Sequence, residues 1–144
     1  KTFDEVWVAF DHDDFPDFMS AIDAARAKGY KIACSNQAFE YWLLLHFKDH
    51  QRQSMKRSVY CRELNDLMGK IKTGVRYDGD SKTITDDIFE LLLSINPTNG
   101  RRRMTEAYNR AKAIADYKKL NGTPWEESVT YVYELIKSLF PDIE

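Results

Sequence analysis

The chain has 144 residues, 43% hydrophobic and 31% charged, with six Gly and four Pro, the proportions of a folded globular protein rather than a disordered or fibrous one. Its size suits one domain around one core, and a formal net charge of −2 excludes a generally basic surface for coating nucleic acid, leaving only local patches to meet a phosphate. No apolar run approaches the ~18 residues of a membrane span, no signal-peptide pattern opens the chain, and Cys34 and Cys61 stand outside any zinc or redox spacing, so reduced thiols in the cytoplasm are expected.

Taken in chain order, Val6-Trp7-Val8-Ala9-Phe10 is apolar without alternation, which predicts a strand covered on both faces, as in a parallel sheet. It runs into Asp11-His12-Asp13-Asp14. After Pro16, the residues Phe18, Ala21, Ile22 and Ala25 recur at helical spacing as far as Lys28-Gly29, where glycine suits a left-handed cap. Tyr30 to Cys34 reads as a second strand, parallel to the first by a right-handed crossover. Ser35-Asn36 offers N-cap chemistry for a nearly buried helix from Ala38 to Phe47, apolar almost all the way round.

A polar, basic surface loop follows from His50 to Arg57, then a helix marked by Val59, Leu64, Leu67, Met68 and Ile71 that stops near Thr73-Gly74. The turn-rich Tyr77 to Ser81 leads to a helix carrying Ile84, Ile88, Phe89, Leu91, Leu92 and Ile95, closed by Asn96-Pro97, since the residue before proline leaves the helical region. Arg101 to Leu120 and Val129 to Phe140 predict two more helices around Asn121-Gly122-Thr123-Pro124. The expected architecture is therefore a single α/β domain over 1–144, with a β-α-β-α core over 1–49 and a helical extension over 50–144 packed on it.

In open α/β sheets ligands gather at the carboxyl ends of strands, where the acidic turn lies. If strand geometry persists to Asp13, Asp11 and Asp13 point to one side and two hard oxygen donors can share Mg²⁺ or Mn²⁺, with Asp14 binding through water or orienting the pair. The plainer alternative is that these aspartates cap the next helix and solvate a loop, but three carboxylates in four residues repel one another and favour a cation. Asn36 and Glu40, one turn apart on the expected helix, can complete or brace such a site; each can equally be ordinary helix-start chemistry. His12 is expected to point away from Asp11 and Asp13 and to support the site from behind, and His46 to be a hydrogen-bonded core residue. Arg101-Arg102-Arg103 can clamp a nucleic-acid phosphate or simply solvate a helix start. No phosphate-binding glycine loop or nucleophile elbow is present.

Glu5 to Asp14 and, more specifically, Ser35-Asn36-Gln37-Ala38-Phe39-Glu40-Tyr41-Trp42-Leu43-Leu44-Leu45-His46-Phe47 resemble the RloB-like family of bacterial abortive-infection, or phage-defence, proteins. Thr130, Val132 and Tyr133 fit its C-terminal pattern, while Gln37 stands in place of the usual proline and Glu127-Ser128 in place of an Asn-Pro pair. The resemblance implies a Toprim-like, Rossmann-like fold in which an aspartate pair, here Asp11 and Asp13, works with a glutamate after an earlier strand. The strand that would carry that glutamate does not precede Asp11 in this sequence, and the chain opens on Lys1, so a longer protein with an upstream segment is expected and this chain alone is expected to be inactive. The resemblance further implies a Mg²⁺-dependent nuclease acting on DNA or RNA, often beside a partner ATPase. The rival expectations are a non-catalytic module docking on that ATPase, and a primase-type or other phosphoryl transfer at the same metal pair.

Overall fold

A computed structural model of the chain describes residues 3–51 and 53–144; residues 1, 2 and 52, the last within the expected polar loop, lie outside the described residues. Among the described residues the architecture is α/β, with six helices and two small sheets of two strands each. Strand β1 (Trp7–Val8) pairs in parallel with β2 (Lys31–Ile32) across helix α1 (Phe18–Ala27), the expected β-α-β unit. The ladders are shorter than the five residues expected. Their hydrogen bonding nevertheless continues, from Lys31 N to Val6 O, Ala33 N to Val8 O, Ser35 N to Phe10 O and His12 N to Ser35 O, so the acidic turn still leaves from a strand-like edge.

Helix α1 buries Phe18, Ile22 and Ala25 against Ile32 and Cys34, leaving Ala21 on the exposed face. Its end follows from Gly29 at φ +78: Gly29 N donates to Arg26 O and Tyr30 N to Ala25 O, the paired bonds of a Schellman cap. Cover on both faces of β1 does not hold. Val8 and Phe10 pack with the residues under α1, while Ala9, on the opposite face, is exposed.

The larger correction lies after β2. Ser35-Asn36 does not cap a helix; it forms β3 (Ser35–Asn36), antiparallel to β4 (Val129–Thr130). The Ser35 and Thr130 hydroxyls meet at 2.7 Å, and Tyr131 N donates to Cys34 O. The expected helix from Ala38 to Phe47 shrinks to α2 (Glu40–Leu44), every residue of which is buried. The back half is thus not purely helical, since it contributes a strand to the front half.

The remaining helices are α3 (Arg57–Ile71), α4 (Asp86–Leu93), α5 (Arg103–Leu120) and α6 (Val132–Leu139). Helix α6 begins three residues later than expected because Val129 and Thr130 are taken by β4. The main core gathers Tyr41, Leu44 and Leu45 of the central segment with Tyr60, Leu64 and Met68 of α3, Ile88 and Leu92 of α4, and Ala107, Ala111 and Ile114 of α5. Trp125 packs against both this core and the smaller one under α1. Both Cys34 and Cys61 are free thiols, and among the described residues no helix is long and apolar enough to cross a membrane.

Candidate functional site

Asp11 sits where the β1 edge ends, bridged in parallel to Ser35. Regular strand geometry stops before Asp13, which turns to φ +44 and anchors its backbone N–H on Gln37 O at 2.9 Å. The two carboxylates still converge, by a turn rather than by strand alternation. What they converge on is Arg57, the first residue of α3: its Nη2 donates to Asp11 Oδ2 at 2.7 Å and to Asp13 Oδ2 at 2.9 Å. Glu40, 1% exposed at the start of α2, joins from the other side with Oε2 3.2 Å from Arg57 Nε. That approach lacks hydrogen-bond alignment, and among the described residues both Glu40 Oε2 and Arg57 Nε are buried without a hydrogen bond. The second Glu40 oxygen accepts a long bond, 3.5 Å, from the Tyr77 hydroxyl.

The electrostatics follow from this crowding. Burial raises the Asp11 carboxyl above its ordinary value, Arg57 works against that rise, and the Asp13 charge adds to it. Glu40 is likewise raised, first by burial and then by the Asp11 charge, with Arg57 again opposing. For Arg57 burial weakens the cation, yet Glu40, Asp13 and Asp11 together outweigh it and leave its pKa raised. One guanidinium therefore serves three carboxylates without neutralising them. A groove of about 490 Å³ opens beside Asp11, Asp13 and Arg57, with Phe18 and Lys82 also in its wall.

The other expected residues fall in different places. Asp14 is exposed on the turn. His12 does turn away from the carboxylates: it stacks on Phe18 at 4.5 Å and its Nδ1 lies 3.0 Å from Asn36 Oδ1. Asn36 Nδ2 donates to Trp125 O at 2.6 Å, which leaves Oδ1 as the acceptor and makes His12 Nδ1 the donor. Asn36 is a strand residue, so it does not share a helix face with Glu40; its amide braces the turn through His12. His46 is fully buried, with Nδ1 3.0 Å from Trp42 O, the expected core role. Of the three consecutive arginines, Arg101 and Arg102 are exposed. Arg103 is turned inward, donating from Nε to Ser94 Oγ at 3.1 Å and lying over the Phe47 ring.

Arg57 is the residue that sequence reasoning missed. Three neighbouring carboxylates do call for a cation, but Lys48, His50, Arg52, Lys56 and Arg57 all lie in the same polar stretch, and no local pattern selects one. As donors, the three carboxylates suit a hard divalent cation, and Glu40 Oε2, ion-paired to Arg57 without an aligned hydrogen bond, is an acceptor that such an ion could bond directly. Their present spacing is set by the guanidinium between them, and among the described residues no group of three or more His, Cys, Asp or Glu is arranged as a ready metal site.

A family model described as RloB-like protein matches residues 1–139. No curated protein and no solved structure matches the chain.

Proposed function

The chain belongs to the RloB-like family, and on that premise we propose that it supplies the acidic part of a Mg²⁺- or Mn²⁺-dependent, Toprim-like nuclease serving bacterial abortive-infection defence against phage. The observation that carries this reading is the convergence of Asp11, Asp13 and Glu40, from three separate stretches of chain, on one position held by a cation. Asp11 and Asp13 would hold the divalent ion and Glu40 would complete the donor set, while Asp14 faces solvent and His12 and Asn36 fix the turn. When bound, the metal supplies activation of water and stabilisation of charge on a scissile DNA or RNA phosphate. Arg101 and Arg102 are surface cations available to neighbouring phosphates. The test is calorimetric titration of Mn²⁺ into the protein, paired with oligonucleotide cleavage by the full-length protein carrying Asp11→Asn with Asp13→Asn. Loss of binding and of cleavage in the double variant is expected; absence of Mn²⁺ binding to the wild type, or undiminished cleavage, overturns the reading.

A second reading is a non-catalytic module that docks on a partner ATPase. It is favoured by a mostly apolar cleft of about 330 Å³ between Leu93, Met104, Phe140 and Ile143 on the helical part. It predicts that the double Asp→Asn protein keeps phage protection while Phe140→Asp with Met104→Asp loses it.

A further inference from the structure

We infer that Arg57 is a tethered cation that competes with the divalent ion for the Asp11, Asp13 and Glu40 cluster, and that its displaced guanidinium receives a phosphate of the incoming nucleic acid. The inference rests on the cation-binding reading above and adds to it a residue that the acidic pattern did not reveal.

The hold on Arg57 is incomplete. A guanidinium binds carboxylates best as a fork, with two parallel N–H bonds to one partner. Here a single terminal nitrogen is shared between Asp11 and Asp13, and the Nε that faces Glu40 makes no hydrogen bond among the described residues. A buried carboxylate oxygen left in that condition is costly, and it gains from a cation that can bond to it directly.

Charge points the same way. Three carboxylates against one guanidinium leave the cluster two charges short of neutrality, and a divalent ion in its place leaves one. Lys82 and Asp17 also line that groove, but both are exposed, where solvent screens them alike.

Arg57 also has somewhere to go. It opens α3 and lines two depressions: the groove beside Asp11 and Asp13, and a cleft of about 450 Å³ whose wall also carries Arg62 and Arg76 together with Asp66, Asp78 and Asp80. Once a divalent ion satisfies the cluster, the electrostatic restraint on the side chain is removed. A guanidinium at the rim of a metal-loaded groove is then placed to bind phosphate oxygens.

The wild-type protein tests this by arginine-selective labelling with phenylglyoxal, read by peptide mass spectrometry. Mn²⁺ is expected to speed modification of Arg57 severalfold while the exposed Arg102 stays unchanged, and a short oligothymidylate added with Mn²⁺ is expected to protect Arg57 again. In parallel, Arg57→Gln is expected to bind Mn²⁺ about tenfold more tightly than wild type, the worth of one imperfect charged hydrogen bond. Should that variant fail to fold, the labelling of the wild type decides alone. Mn²⁺ binding with Arg57 labelling unchanged or slowed overturns the exchange and leaves the cation-binding reading standing, whereas failure of the wild type to bind Mn²⁺ overturns both. Faster labelling without re-protection by the oligonucleotide overturns the phosphate role.

Discussion

Two polar clusters flank the Asp11–Ser35 bridge, and they are built to opposite standards. Along the β3/β4 seam the hydroxyls of Ser35 and Thr130 bond each other, Ser128 bonds Tyr60 and the Gln53 carbonyl, and Asn36 uses both ends of its amide, on His12 and on Trp125. In the carboxylate cluster a Glu40 oxygen and the Arg57 Nε have no hydrogen bond among the described residues. Satisfied networks specify and rigidify a fold, whereas an under-satisfied one stores a demand that a ligand or a conformational change can meet. The difference marks the carboxylate cluster as the one left with an unmet demand for a partner.

The largest effect is expected at Arg57. Replacing it with Met leaves three carboxylates without their shared cation and should cost about 3 kcal/mol in urea denaturation at pH 7, towards the low end for a broken buried pair because Arg57 and Asp11 keep some contact with water. If the cluster is a cation site, millimolar Mn²⁺ recovers much of that loss; a purely structural ion pair shows no recovery.

His46 extends the comparison to a buried group kept neutral. Like Glu40 it buries an atom without a partner, Nε2, but burial lowers its pKa from 6.5 to about 4. As pH falls through 6.5 the unfolded chain takes up a proton that the folded chain refuses, so this contribution to stability is complete above neutrality and is lost progressively as pH falls towards 4. The loss by pH 5 should be roughly 2 kcal/mol. His46→Gln should remove that part of the pH dependence, which comparison of denaturation midpoints at pH 7.5 and 5 will show; an unaltered slope would mean that the folded chain accepts the proton.

On the satisfied side, Thr130→Val strands the Ser35 hydroxyl and should cost roughly 1–2 kcal/mol while leaving Mn²⁺ affinity unchanged. A change in that affinity would show the two clusters to be coupled and blur the distinction drawn between them. The smallest effect is at Gly29, where a Cβ meets nothing within 4 Å and only the left-handed backbone resists it. Gly29→Ala should cost about 1 kcal/mol and leave both clusters intact.

The strand–helix–strand start of the chain, the Gly29 stop and the run of α3, α4 and α5 were legible because each is written in periodicity and capping within a few residues. The acidic turn was legible as a place that needs a cation, since repulsion among near neighbours is local. Ser35-Asn36 misled for a related reason. The same residue types that cap helices also suit a short polar strand when a partner strand is present, and that partner lies 95 residues away at Thr130.

By itself, then, the sequence determined an α/β start with Asp11 and Asp13 at a strand exit, Glu40 nearby on a buried segment, and membership of the RloB-like family. Only the tertiary structure decided that β3 pairs with β4 and that Arg57, 46 residues from Asp11, is the cation between the carboxylates. Strand partners and charge partners so distant in sequence are selected by the packing of the whole chain, and no local window of residues encodes which of several candidates will arrive.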